Sequence, residues 1–179
     1  MKKLIIAIGL LGFYFSSYGQ EAKSGFLKKG SGVSGTYILG GYSPKLGIVG
    51  STGVRYGYFI QDNLALGFDS RLMTNGDRYR EINFGPYVRY YLSGQRIKPF
   101  FEARYGFGLS ESKVFDGQTN ESGYRFESAR EHNGYIGTGL LLLNKSNRLG
   151  IEFSAGYEFD FSKRSKSRFT VGTGLNIKL

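Results

Sequence analysis

Several groups of residues in this chain have types and spacings that chemistry would need, and each can be weighed against what that chemistry demands around it. Gly30-x-Gly32-x-x-Gly35 matches by letter the glycine turn that cradles a dinucleotide pyrophosphate. That turn has to follow a strand, open a helix and be answered by an acid for the ribose. No strand is predicted before Gly30 and no helix after Gly35, and residues 50–58 hold no acid. These glycines read instead as the small face of a strand. Ser110-x-x-Lys113 has the spacing of a serine acylase without its companion motifs. His132 is the only histidine, which excludes a multi-histidine metal site. With Ser128 four residues before it and Glu131 and Asn133 beside it, His132 is the one residue around which a hydrolytic triad could be built, and otherwise it is an interfacial histidine. Asp116, Asn120 and Glu121 offer oxygen ligands, but their spacing and the glycine placement do not match a calcium loop. Glu102 and Glu152 could serve as acid and base in the abstract, yet arginines on the same strand faces make them structural ions. No catalytic residue, metal or cofactor is expected.

The elements that would carry these residues are strands. From Phe169 to Leu179 apolar and small or polar residues alternate strictly: Phe169, Val171, Thr173, Leu175, Ile177 and Leu179 against Thr170, Gly172, Gly174, Asn176 and Lys178. The same period of two runs through eight candidate strands, at 30–42, 46–60, 64–74, 79–92, 98–111, 130–143, 147–162 and 167–179. Strand seven is the clearest, with Leu149, Ile151, Phe153, Ala155, Tyr157, Phe159 and Phe161 opposite Gly150, Glu152, Ser154, Gly156, Glu158 and Asp160. With 28 Gly, 14 Tyr, 15 Phe and no Cys in 179 residues, the chain is rich in residues of pleated surfaces and needs no disulfide. A mean hydropathy of −0.27 does not argue against a membrane, because a barrel strand shows lipid only every second residue.

A soluble eight-stranded ligand carrier alternates too, but with its apolar face inward. Here the polar face mixes Gly, Ser and Thr with charges, which suits the narrow inside of an eight-stranded barrel. Aromatics flank the strand ends as interfacial girdles: Tyr56, Tyr58, Tyr90 and Phe101 at one side, Tyr157, Phe159, Phe161 and Phe169 at the other. The fold class expected is therefore all-β, an eight-stranded antiparallel up-and-down transmembrane β-barrel over residues 30–179. Short turns at 61–63, 93–96 and 144–146 belong on the periplasmic side, and the connection 112–129 is the one long outer loop. Lys2 and Lys3 before an apolar run and a small-residue site at Ser17-Tyr18-Gly19 predict a signal peptide over residues 1–19, and residues 20–29 read as a flexible leader.

Phe84-Gly85-Pro86-Tyr87-Val88-Arg89-Tyr90-Tyr91-Leu92, then Pro99-Phe100-Phe101-Glu102-Ala103-Arg104-Tyr105-Gly106, and the closing Gly172-Thr173-Gly174-Leu175-Asn176-Ile177-Lys178-Leu179 resemble the small outer-membrane barrels of the OmpA/OmpX-like kind, as they look in Bacteroidetes. The signal ending Tyr18-Gly19-Gln20 fits the same resemblance, while such barrels more often end on Phe than on Leu179. The resemblance implies residence in the outer membrane of a Gram-negative cell, insertion by the barrel-assembly machinery, and no common activity. Its members are described in adhesion, envelope integrity or host interaction.

The polar strand faces place Arg55, Arg71, Arg89, Arg104 and Lys178 inside with Asp69, Glu81, Glu102, Glu152, Glu158 and Asp160. Unpaired charge in a narrow lumen is costly, so a network of arginine forks on carboxylates is expected, one that plugs the barrel. Net charge is +10, or +8 once Lys2 and Lys3 leave with the signal, and in an exported chain this points to the cell's own anionic surface and not to nucleic acid. Lys163, Arg164, Lys166 and Arg168 form a cationic outer loop expected at the depth of lipopolysaccharide phosphates. The reading is a monomeric, non-enzymatic scaffold or surface-binding barrel, with an extracellular ligand expected at the 112–129 loop. A small-solute channel is the first alternative and a lipid-modifying enzyme the second, which His132→Ala would expose.

Overall fold

The computed structural model describes residues 27–76, 79–94, 96–115, 124–161 and 167–179. The strands are β1 (Gly32–Ser43), β2 (Gly47–Gln61), β3 (Leu64–Thr74), β4 (Tyr79–Tyr91), β5 (Ile97–Phe115), β6 (Tyr124–Leu143), β7 (Leu149–Asp160) and β8 (Arg168–Lys178). Each pairs antiparallel with the next, and β8 returns to β1 through Val33–Lys178 to Tyr42–Phe169, so the sheet closes as a barrel. Closure leaves no sheet edge within the wall. The residues expected to be a signal peptide, 1–19, and the first part of the leader, 20–26, lie outside the described residues.

Alternation decides which way each side chain faces. Along β4 buried and exposed residues alternate without a break from Tyr79 to Tyr91. The exposed set around the barrel is apolar, including Phe68 at 68 %, Leu109 at 62 % and Ile136 at 62 % exposure, while Arg89, Glu102, Glu152 and Glu158 are buried. A surface of this kind is the inverse of a water-soluble carrier, and only a bilayer satisfies it. Every strand has at least 11 residues, enough for a tilted crossing of a bilayer core.

The tight connections gather at one end of the barrel, the termini end, where β1 begins and β8 finishes. Asn63 in the β2–β3 turn and Asn147 in the β6–β7 turn take positive φ, at 67° and 54°. Asparagine tolerates this conformation better than most residues with a side chain. At the same end an apolar layer of Val33, Phe59, Ala65, Tyr91, Phe100, Leu141 and Leu143 fills the barrel, and Leu27 belongs to it. Leu27 is held there by its carbonyl, which accepts from Asn63 N at 2.9 Å, and by Lys29 N donating to Asp62 Oδ1 at 2.8 Å. From Leu27 onward, then, the stretch expected to be a flexible leader is docked across the mouth at the termini end.

At the other end the hairpin β5–β6 corrects the expected loop. Residues 112–115 and 124–129, within the stretch 112–129, are strand, and residues 116–123 lie outside the described residues. The pairing runs unbroken to Phe115–Tyr124. On its other side β6 pairs with β7 only as far as Asn133–Asp160, with His132 O accepting from Phe161 N at 2.9 Å. The hairpin therefore stands beyond the wall, and Tyr124–Glu131 pairs with no described strand on its β7 side.

Candidate functional site

Inside the wall the charged residues stack in three tiers along the barrel axis. The tier nearest the termini is centred on Arg89, which donates to both Glu102 and Glu152. Its Nη1 lies 2.6 Å from Glu152 Oε2, and its Nε lies 2.7 Å from Glu102 Oε2. Arg55 Nη1 reaches Glu102 at 2.9 Å and Glu152 at 3.5 Å, and Asn176 Nδ2 donates to Glu152 at 2.8 Å. Arg89 also lies over the Phe100 ring at 4.0 Å, so the apolar layer below it caps the guanidinium.

In the middle tier Tyr37 donates to Asp69 Oδ2 at 2.6 Å, and Arg104 Nη1 donates to the Tyr37 hydroxyl at 3.0 Å. Arg104 Nε is 3.1 Å from Glu102 Oε1, which ties this tier to the first. The tyrosines fit because glycines leave room. A Cβ on Gly53 would meet the Tyr37 ring at 2.4 Å, and one on Gly156 would meet Tyr135 at 2.5 Å. Tyr135 in turn lies 4.1 Å beneath Arg104.

The third tier, nearest the hairpin, is built on Glu158. Arg71 grips it with two bonds of 2.6 Å, and Arg168 Nη2 and Nε add bonds of 2.6 and 3.2 Å. Glu81 accepts from Tyr79 Oη at 2.5 Å, from Asn133 Nδ2 at 3.1 Å and from Asn83, and Ser110 donates to Glu131 at 2.5 Å. Glu81, Glu131, Asn133, Glu158, Asp160 and Arg168 enclose a cavity of about 10 Å³, room for a single water.

Arg168 is a correction. Expected in a cationic outer loop, it is 3 % exposed inside the lumen, because it shares the inward parity of Thr170 and Asn176 on β8. Lys163, Arg164 and Lys166 lie outside the described residues. Arg55, Asp69, Arg71, Glu81, Arg89, Glu102, Glu152 and Glu158 are all buried, the Arg104 side chain is 7 % exposed, and Asp160 and Lys178 are half-buried. The lumen also holds Glu131, Asn133, Tyr37, Tyr79 and Tyr135, which the sequence reading did not place there. For Glu131, Asn133 and Tyr135 the usable signal was strand pairing with β5, since both faces of β6 are polar around His132.

His132 itself faces outward, its Nδ1 at 2.8 Å from the Tyr105 hydroxyl. Ser128, four residues back on the same strand face, is about 13 Å away along the strand. The structure does not bring these two together. Asp116, Asn120 and Glu121 lie outside the described residues, and among the described residues no group of His, Asp or Glu side chains is arranged to hold a metal.

No protein-family model matches the chain, and no curated protein matches it in sequence. Solved structures do share its architecture. The chain is similar to Neisserial surface protein A, with a TM-score of 0.63 and 16 % identity over 83 % of this chain and 96 % of that one. It is similar to the N-terminal β-barrel domain of Pseudomonas aeruginosa OprF, with a TM-score of 0.57 and 14 % identity over 84 % and 100 %. It is also similar to Ail, the attachment invasion locus protein of Yersinia pestis, with a TM-score of 0.53 and 13 % identity over 84 % and 99 %. At these identities what is shared is the fold, that of a small closed eight-stranded membrane barrel.

Proposed function

We propose that this chain is a non-enzymatic outer-membrane barrel whose interior is a closed scaffold and whose work is done by the projecting β5–β6 hairpin as a surface-binding element. The observation that carries this reading is the stacked ion-pair lumen. Among the described residues, four buried arginines, Arg104 with its side chain 7 % exposed, and six buried carboxylates occupy the cross-section of an eight-stranded barrel, which has room for little more than its own side chains. The lumen hydroxyls of Tyr37, Tyr79 and Ser110 are each engaged in a hydrogen bond to a buried carboxylate. The short turns and the docked Leu27 segment then face the periplasm, and the hairpin faces outward.

The hairpin supplies a chemical means of binding. His132 turns its carbonyl toward β7, so by the alternation of a strand Arg130 and Ser128 turn their backbone groups the same way. Such an edge accepts an extended peptide by strand addition. Ser128→Pro removes a donor from this edge while keeping the pairing to β5. Cells displaying the protein are expected to lose adhesion to immobilised extracellular-matrix protein on Ser128→Pro, with surface level and the folded gel band unchanged. Adhesion equal to wild type would contradict a role for this edge.

For the lipid-modifying alternative the described residues give His132 bonded to Tyr105 and about 13 Å from Ser128 along the strand. The channel alternative would require the lumen network to open.

A further inference from the structure

The termini end of the barrel carries charge of one sign. Residues 27–32, 60–64, 92–98, 142–150 and 176–179 make up this end, and they hold seven lysines and arginines against one acidic side chain, Asp62. Asp62 is already engaged, since its Oδ1 accepts from Lys29 N at 2.8 Å. Lys98 shares the inward parity of Phe100 and is buried, its Nζ donating to Gly94 O. Lys28, Lys29, Arg96, Lys145 and Arg148 are exposed, and among the described residues these five side chains have no ion pair or hydrogen bond.

Their backbones are fixed in place. Leu27 O accepts from Asn63 N at 2.9 Å and Lys28 O from Ser31 N at 3.1 Å, while Arg96 O accepts from Leu143 N at 2.8 Å. Asn144 Oδ1 closes the β6–β7 turn by accepting from Arg148 N at 3.1 Å and Leu149 N at 3.3 Å. Strand order then sets the spread of the charges. The β2–β3 turn, which holds the Lys28–Lys29 segment, and the β6–β7 turn, which carries Lys145 and Arg148, are four strands apart in a closed ring of eight. They face each other across the mouth, roughly 16 Å apart for a tilted barrel of this strand number. Arg96 belongs to the second group, because β5 begins beside the end of β6. One small anion cannot engage both sides. Lipid headgroups form a ring outside the wall at the level of the outward Tyr56, Tyr58 and Tyr90, and Lys28 and Lys29 stand on a segment docked across the mouth, inside that ring.

We propose that the termini end is a docking face for an extended polyanion lying parallel to the membrane, the carboxylate-bearing peptidoglycan layer of the periplasm, with Lys28–Lys29 and the Arg96–Lys145–Arg148 group as its two points of contact. Exposed charge pairs are individually weak and screened by salt. Held in fixed places on one face, they act together on a polymer that presents many carboxylates, because each contact raises the effective concentration of the next. The docking face lies at the end opposite the hairpin, and it rests on the reading that the hairpin faces outward.

The test uses the full chain folded in phosphatidylcholine nanodiscs and measures how much of it sediments with purified peptidoglycan sacculi, either native or with their carboxyl groups converted to neutral amides. Native sacculi are expected to retain about tenfold more protein than amidated ones, and retention is expected to fall as salt rises. A variant combining Lys28→Gln, Lys29→Gln, Lys145→Gln and Arg148→Gln is expected to drop to the amidated level. Equal wild-type retention on both kinds of sacculi, or full retention of the folded variant, overturns the docking face. So does retention that is lost in phosphatidylglycerol nanodiscs, because lipid phosphates are then what the cations take. If the variant does not fold, the wild-type comparisons decide alone. Ser146→Cys, in a chain with no cysteine of its own, checks the orientation separately. Its reaction with a membrane-impermeant maleimide in intact cells contradicts the outward-hairpin reading, whereas reaction only after the outer membrane is opened, with no binding to sacculi, overturns the docking face alone.

Discussion

Arg89 is the side chain on which the tier nearest the termini depends, because it pairs with Glu102 and Glu152 more closely than Arg55 does and is 1 % exposed. Removing one partner of a buried ionic cluster costs more than the pair's net worth, since the charges left behind have lost their compensation. Arg89→Leu is expected to lower the free energy of unfolding by about 3–5 kcal/mol. Urea titration read by the gel shift between folded and unfolded forms checks it, and a midpoint equal to wild type would show that Arg55 and Arg104 compensate without it. Most of the lumen charges were legible residue by residue, because on β3, β4, β5 and β7 the opposite face is apolar and parity is unambiguous. Glu131 and Asn133 were not, because Arg130, His132 and Gly134 on the other face of β6 are no more apolar than they are. Arg168 was misread for a different reason. It closes a run of cations that looks like one solvated loop, while its neighbours Phe169 and Thr170 already set the parity of β8.

At the scale of elements, strand existence and order followed from the period of two, and boundaries did not. The extension of β5 and β6 past the wall lies in polar sequence, where hydrophobic alternation is silent and only mutual pairing from Ser112–Glu127 to Phe115–Tyr124 marks a strand. The segment from Leu27 was hidden likewise. One leucine among lysines and glycines carries no periodic signal, and its burial depends on a mouth that exists only once the barrel has closed. Leu27 is 2 % exposed against Phe59, Tyr91 and Phe100. Leu27→Ala is expected to cost about 2–4 kcal/mol by opening a cavity under the inner tier, measured by the same titration. A loss below about 0.5 kcal/mol, the size of an ordinary surface change, would mean that the segment does not seal the mouth.

As a whole the molecule divides its labour by direction. Its outward faces satisfy lipid, its inward faces satisfy one another, and the hairpin edge at one end is left without a described strand beside it. Fold and membrane residence were legible early because they depend on a pattern repeated in every strand. The partner was not, because recognition at a strand edge depends on which backbone groups are left open after closure. The central claim is that the ionic lumen is shut. Single-channel recording in a planar bilayer tests it most directly, using protein whose boiled and unboiled forms migrate differently. Folded wild-type protein is expected to be electrically silent across the applied voltage range, and steady, reproducible conductance steps from that same folded material would contradict a closed scaffold.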